Sequence, residues 1–194
     1  QLTRSIFMLE LNFNPFPEIQ TERLILRKLT SDDKEDLFEM RSDPDVMKYI
    51  PRPLAVTIDD ALTHLEMSLK LLQNNEAVNW AIQEKGGTKM IGSIGIFNIL
   101  KEHYRAEIGY ILNPKWHGRG IMDEALKSVI VFGFENMKLH SIEALIDPDN
   151  SASAKLLEKN KFRKEGYYKE NCFFEGRFLD SGVYSIVKGI DYLK

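Results

Sequence analysis

The stretch best equipped for chemistry runs from Arg105 to Ala125 and reads Arg-Ala-Glu-Ile-Gly-Tyr-Ile-Leu-Asn-Pro-Lys-Trp-His-Gly-Arg-Gly-Ile-Met-Asp-Glu-Ala. It begins as a strand, breaks at Asn113-Pro114, and opens a helix at Gly120. A strand that turns through glycines into a helix leaves backbone N–H groups unpaired at the positive helix end. A phosphate or similar anion satisfies them. Gly118 and Gly120 permit the tight turn and let a ligand approach with no Cβ in the way; Arg119 adds a nearby cation. The same residues also read as a plain turn into a helix, with no ligand.

Two other phosphate loops are excluded. A Walker loop needs Lys followed by Ser or Thr after its last glycine, and here Ile121-Met122 follows. A dinucleotide fingerprint needs a third glycine where Asp123 stands. Ile91-Gly92-Ser93-Ile94-Gly95 only approximates a nucleophile elbow and reads as a strand carrying glycines. The lone Cys172 rules out an internal disulfide or a Cys-rich metal site and fits a reducing cytoplasm. His64, His103, His117 and His140 share no ligand spacing, so no metal is expected.

These residues need elements to hold them. Thr21 to Leu29 reads as a strand, and Thr30 or Ser31 caps a helix reaching about Met40. Asp43-Pro44-Asp45 starts a short helical turn, and Pro51 and Pro53 bound a loop. Thr57 opens a longer helix whose Leu62, Leu65, Leu69 and Leu72 recur at helical spacing. Strands follow at Trp80 to Ile82, Met90 to Ile99 and Arg105 to Leu112, the first two joined by the turn Lys85-Gly86-Gly87-Thr88. A helix from Gly120 to Met137, a strand from Ser141 to Ile146 and a short helix from Ser151 to Lys159 come next. Strands at Arg163 to Tyr168 and Ser181 to Lys188 close the chain. This order predicts an α/β (α+β) domain with a mixed, mostly antiparallel central sheet flanked by helices.

Composition sets outer bounds. The 194 residues suit one domain with a real core. With 26 basic against 29 acidic residues the net charge is −3, which gives no reason to expect nucleic-acid binding. Lys161-Phe162-Arg163-Lys164 reads as solvated surface. No apolar run reaches membrane-spanning length and no signal peptide is evident, so no membrane partner and a cytoplasmic location are expected. Residues 1–7 precede Met8 and read as upstream residues; residues 8–194 are expected to form the domain.

Beyond these patterns, Ala106 to Ala125, Ile142-Glu143-Ala144, Asp147 to Ser153 and Leu157-Glu158-Lys159 together resemble the GNAT superfamily of N-acetyltransferases. They are most similar to its Rim-type subgroup, best known for acetylating N-termini of ribosomal proteins, and Thr21 to Arg27 matches that subgroup's usual start. The likeness spans about Glu18 to Lys188, and it implies a GNAT-like fold with acetyl-CoA as co-substrate and no metal.

It also implies roles. His117, Gly118, Arg119, Gly120, Ile121 and Met122 match the family's pyrophosphate loop. Strand Glu107-Ile108-Gly109-Tyr110-Ile111 matches the segment that pairs with the pantetheine arm and polarises the thioester carbonyl, and Asn150 matches the asparagine bonding that arm. Glu107 matches a strand glutamate used as general base, and Ser153 a serine used as general acid toward the departing thiolate.

The chain departs from the pattern in four places. His117 replaces a longer Gln or Arg, and Met122 replaces a small residue, which is expected to crowd the phosphate and weaken binding. Lys161 stands in place of glycine, so Asn160 is expected to supply the left-handed helix end. Leu157 occupies the place of a tyrosine acid found in other branches. Structural readings stand beside the functional ones: Glu107 as a solvated carboxylate, Ser153 as a helix-start residue, Asn150 as a turn residue, and Trp80, Trp116 and Tyr110 as core.

The reading that follows is direct transfer in a ternary complex, from acetyl-CoA to a protein N-terminal amine or a small-molecule amine, with strand N–H groups holding the oxyanion. A homodimer is left open. The rival readings are a non-catalytic acyl-CoA-binding module and a nucleotide-binding domain using the same glycine turn.

Overall fold

The computed structural model describes residues 8–192; the upstream stretch 1–7 lies outside the described residues. Strands β1 (Ile19–Gln20), β2 (Leu24–Lys28), β3 (Val78–Glu84), β4 (Gly92–Leu100), β5 (Arg105–Leu112), β6 (Ser141–Ile146), β7 (Arg163–Phe174) and β8 (Arg177–Val187) build one sheet in the order β1-β2-β3-β4-β5-β6-β8-β7. Every neighbouring pair is antiparallel except β5 and β6. The expected mixed, mostly antiparallel sheet is therefore the observed one, and the helix α4 (Ile121–Glu135) makes the crossover that the parallel pair requires.

Alternation along the strands sorts the core into two layers. Val78, Trp80 and Ile82 of β3 join Ile94, Ile96, Ala106 and Ile108 in packing against Ile121, Ala125, Val129 and Phe134 of α4 and Leu157 of α5 (Ser151–Lys159). Ala81 points the other way, toward Leu37 and Met40 of α1 (Lys34–Arg41) and Ala61 and Leu65 of α3 (Ile58–Gln73). Between α1 and α3 lies the short α2 (Pro44–Met47), whose N-cap Asp43 accepts from the Asp45 N–H at 2.8 Å. The start of α3 is held by a capping box: Asp60 Oδ2 accepts from the Thr57 N–H at 2.8 Å and Thr57 Oγ1 from the Asp60 N–H at 3.3 Å.

Two expectations change, and one element was not foreseen. Asn160 does not supply the left-handed helix end. It keeps φ −93°, and Lys161 itself adopts φ +69°, tolerated because the buried Asn160 is pinned by bonds from its Nδ2 to Asp123 Oδ1 and the Leu156 carbonyl. The closing strands run longer than expected, turning at Glu175 (φ +47°) and Gly176 (φ +78°); a Glu-Gly pair is not among the usual hairpin signals. The two-residue β1 carried no readable alternation.

Trp80 anchors the larger layer. It is fully buried and its indole N–H donates to the Pro17 carbonyl at 2.7 Å. Trp80→Ala is expected to cost about 3–5 kcal/mol in urea unfolding, whereas Val56→Ala at an exposed position should stay within about 0.5 kcal/mol.

Candidate active site

Strands β5 and β6 pair for only three residues, Arg105↔Ser141, Ala106↔Ile142 and Glu107↔Glu143, and then diverge. The gap between them opens a cleft of about 1530 Å³ through the sheet. Asn113 donates its N–H to the Ile91 carbonyl on the β4 side at 2.9 Å. Alternation then turns the peptide groups of Tyr110 and Leu112 to the opposite side, into the gap. Of the strand residues Glu107 to Ile111, Glu107, Gly109 and Ile111 instead aim their peptide groups at β4, because they share the direction of Asn113. Ile108, whose side chain is core, borders the cleft where the pairing ends.

Side chains alternate in the same way, so β5 serves both faces of the sheet. Tyr110 packs against the α4–α5 layer, and Ile111 against the α1–α3 layer. Glu107 shares the parity of Ile111. It lines the cleft, and its Oε2 accepts from Asn98 Nδ2 at 2.8 Å. Burial pushes the Glu107 carboxyl above the ordinary glutamate range; the Asn98 bond pulls against this, and the Glu143 carboxylate adds to it.

On the other face, Tyr110 Oη and Ser153 Oγ lie 2.7 Å apart, and Ser153 is 8% exposed. Burial pushes the Tyr110 hydroxyl up to about 12 despite that bond, so it stays protonated at neutral pH. Asn150 caps α5, its Oδ1 accepting the Ser153 N–H at 3.1 Å. This ties Asn150, Ser153 and Tyr110 into one arrangement on the cleft wall. Tyr110 and Trp116 were expected as core and are instead half-buried wall residues, Trp116 donating its indole N–H to Glu84 at 2.7 Å. The tyrosine–serine contact joins residues 43 apart, and no spacing rule announces it.

At the end of the cleft, Gly118 (φ +73°) and Gly120 (φ +72°) are both left-handed, and Gly120 caps α4 without any side-chain bond to its first amides. His117 is exposed and its Nε2 lies 3.0 Å from the Leu112 carbonyl. Met122, expected to crowd the turn, is packed in the core and also lines the cleft. At 7% exposure it belongs to the core, as the second residue of a helix packed on the sheet. Arg119 is exposed, and like Arg23 it lies outside the cleft lining; Arg23, which sequence reasoning passed over, braces the turn from outside. Arg23 Nη1 donates to the Arg119 carbonyl at 2.9 Å and Nε to Glu124 Oε2 at 2.6 Å. An added Cβ on Gly120 would lie 3.5 Å from Arg23 Nη2.

Two acids in the first turn of α4 would repel an anion there, and both are neutralised. Burial pushes Asp123 up, but Lys127, Lys159 and Asn160 outweigh it and hold the carboxyl down at about 2. Glu124 is likewise pushed up by burial and drawn below its ordinary value by Thr21 and Arg23. Among the described residues, no group of three or more His, Cys, Asp or Glu side chains comes together as metal ligands, and no helix is long and apolar enough to cross a membrane.

Comparison with known proteins gives one consistent result. A family model described as an acetyltransferase (GNAT) domain matches residues 23–163. YoaA of Bacillus subtilis, named an N-acetyltransferase, is 35% identical over 173 residues, covering 89% of this chain and 98% of its own. The crystal structure of a GNAT-family acetyltransferase from Bacillus anthracis superposes with a TM-score of 0.79 at 33% identity, over 88% of this chain and 98% of that one. The [ribosomal protein uS5]-alanine N-acetyltransferase of Escherichia coli is 33% identical over 93 residues, 47% of this chain and 48% of its own.

The glycine turn yields a direct test by calorimetry with coenzyme A. Gly120→Glu should abolish binding, because a carboxylate and a strained Cβ would meet the phosphate. Arg23→Met should weaken binding by about two- to fivefold, the scale of a partly exposed charge pair, with the fold intact. Unchanged affinity in Gly120→Glu would remove the phosphate site from this turn.

Proposed function

This chain belongs to the GNAT acetyltransferase family, and we propose that within it the acceptor is the N-terminal amine of a protein. The chain is an acetyl-CoA-dependent N-acetyltransferase, moving the acetyl group of acetyl-CoA onto an amine. A protein acceptor is supported by the uS5-alanine N-acetyltransferase among its relatives. A reducing cytoplasm as the place of action is supported by the lone, unbridged Cys172.

The observation that carries the mechanism is the separation of Glu107 from the Tyr110–Ser153 pair across the splayed strands. Acetyl-CoA supplies the acetyl group as a thioester. The loop His117-Gly118-Arg119-Gly120-Ile121-Met122 receives the pyrophosphate on its backbone amides, with Arg23 holding the loop in shape. The peptide groups of Tyr110 and Leu112 pair with the pantetheine arm, and the Tyr110 N–H is placed to hold the thioester oxygen as charge develops on it. Asn150, its Oδ1 occupied by the helix cap, has its amide Nδ2 left to give the arm.

Glu107 acts as general base and takes the proton of the incoming amine. Ser153 gives its hydroxyl proton to the departing sulfur and is reprotonated from solvent, while Tyr110, which stays protonated at neutral pH, holds the serine hydroxyl in place. Leu157 is fully buried in the core, so the acid role of the tyrosine found there in other branches falls to this pair.

Because Glu107 titrates above the ordinary glutamate range and works only when ionised, kcat/KM should rise with pH through its titration. Glu107→Gln should remove that limb and lower kcat by about 10²–10⁴. The deficit should shrink toward high pH, where the amine is already free of its proton. Coenzyme affinity should not move. Ser153→Ala should cost less, since a thiolate of ordinary pKa leaves without a proton. A Glu107→Gln enzyme with wild-type kcat at every pH would assign the residue to the surface.

A further inference from the structure

The wall of the cleft on the α1–α3 face carries charge that the transfer chemistry does not use. Arg41, at the last position of α1, is half-buried and lines the cleft. Arg52 lines the same wall from the loop between Pro51 and Pro53, where two prolines restrict the backbone. Among the described residues, neither the half-buried Arg41 nor the exposed Arg52 makes an ion pair; the acids bordering the same cleft, Asp45, Glu76, Glu107, Asp123 and Asp147, all stay beyond pairing distance of both.

The surroundings agree. Burial and then the Arg52 charge push the Arg41 guanidinium below its ordinary value, with no acid acting in the opposite sense. His64, on the adjoining turn of α3, is pushed down to about 4 by burial and then by Arg41 and Arg52, so it is neutral at pH 7 and adds no charge of its own. Arg52 also draws on Glu107, which places it within electrostatic reach of the proposed base.

A half-buried guanidinium without a partner is costly, and its planar fork fits a carboxylate in a bidentate manner. These cations share the cleft with Glu107, and Arg52 acts on its carboxyl. We infer that the acceptor carries a carboxylate close to its amine, bound between Arg41 and Arg52, so that an acidic residue in the first positions of an N-terminal peptide is selected over a neutral or basic one. The inference rests on the proposed protein acceptor. The overall charge of −3 gives no hint of it, since the selecting charge is local.

The test is acetyl transfer from acetyl-CoA to peptides sharing an N-terminal alanine and differing at the second residue, Asp, Asn or Lys, beside free aspartate and a non-peptide amine. The Asp peptide should exceed the Asn peptide in kcat/KM by about tenfold or more, chiefly through KM, as a charge-assisted contact requires. In Arg41→Gln and Arg52→Gln that ratio should fall toward one, and Arg41→Lys should restore part of it. Coenzyme A affinity measured on each variant shows that the fold is retained. Equal use of the Asp, Asn and Lys peptides would overturn the carboxylate site and leave the protein-acceptor reading standing. Transfer to free aspartate with none to any peptide would keep the carboxylate and overturn the peptide as its source. Transfer only to the non-peptide amine would overturn both.

Discussion

The structure depends on two parallel strands that stay paired for three residues and then separate. A sheet normally satisfies its backbone groups by continuing the ladder, and a buried, unmatched peptide group costs about 1–3 kcal/mol. Here β4 goes on pairing with β5 up to Leu112, and β8 with β6 up to Ile146, so both outer edges hold while the inner ones part. The cleft is thus a defect in one ladder, propped open by intact ladders on either side. An extended, amide-bearing arm can complete the missing pairing. In the proposed mode of binding, the pantetheine arm of acetyl-CoA does so.

Electrostatics at the start of α4 solve a related conflict. Acids in the first turn of a helix favour the helix, yet they oppose an anion at the same end. Asp123 and Glu124 occupy that turn, and each is surrounded by donors from other elements: Lys159 and Asn160 of α5 and its end, Thr21 and Arg23 from the entry to β2. The acids thereby become tethers. They bind α4 to α5 and to β2, and the amides of Gly120, Ile121 and Met122 keep the local positive field.

Much of this was legible in the sequence, and the limits have physical causes. The helix at Gly120 and the strand at Arg105 show in glycine punctuation and local periodicity, and α3 in its opening Thr57 and a leucine stripe. These signals lie within a few residues of one another. The Tyr110–Ser153 contact, the Arg23 clamp on Glu124 and the cationic wall of Arg41 and Arg52 join residues tens of positions apart, and each residue alone reads as ordinary. Arg23 was visible as part of a familiar opening, but its task was not. The helix phase turns Met122 toward the core, a placement that its bulk in a glycine turn does not announce, and leaves it on the cleft lining as well.

The period of a strand lets one segment carry both of the proposed catalytic roles. Neighbouring side chains of β5 project to opposite faces, so Glu107 and Tyr110, three positions apart, stand on different sides of the sheet. A base that removes a proton from the amine and a donor that serves the sulfur must not neutralise each other; a carboxylate beside a hydroxyl would form the shorter, stronger bond and idle both. Separation by the sheet prevents it. Glu107 bonds Asn98 through one oxygen, which leaves the second free, and Tyr110 bonds Ser153 on the opposite face, so under the proposed roles neither group idles the other. An even spacing between the two would have put base and acid on one face, and the gap between β5 and β6 would then separate nothing.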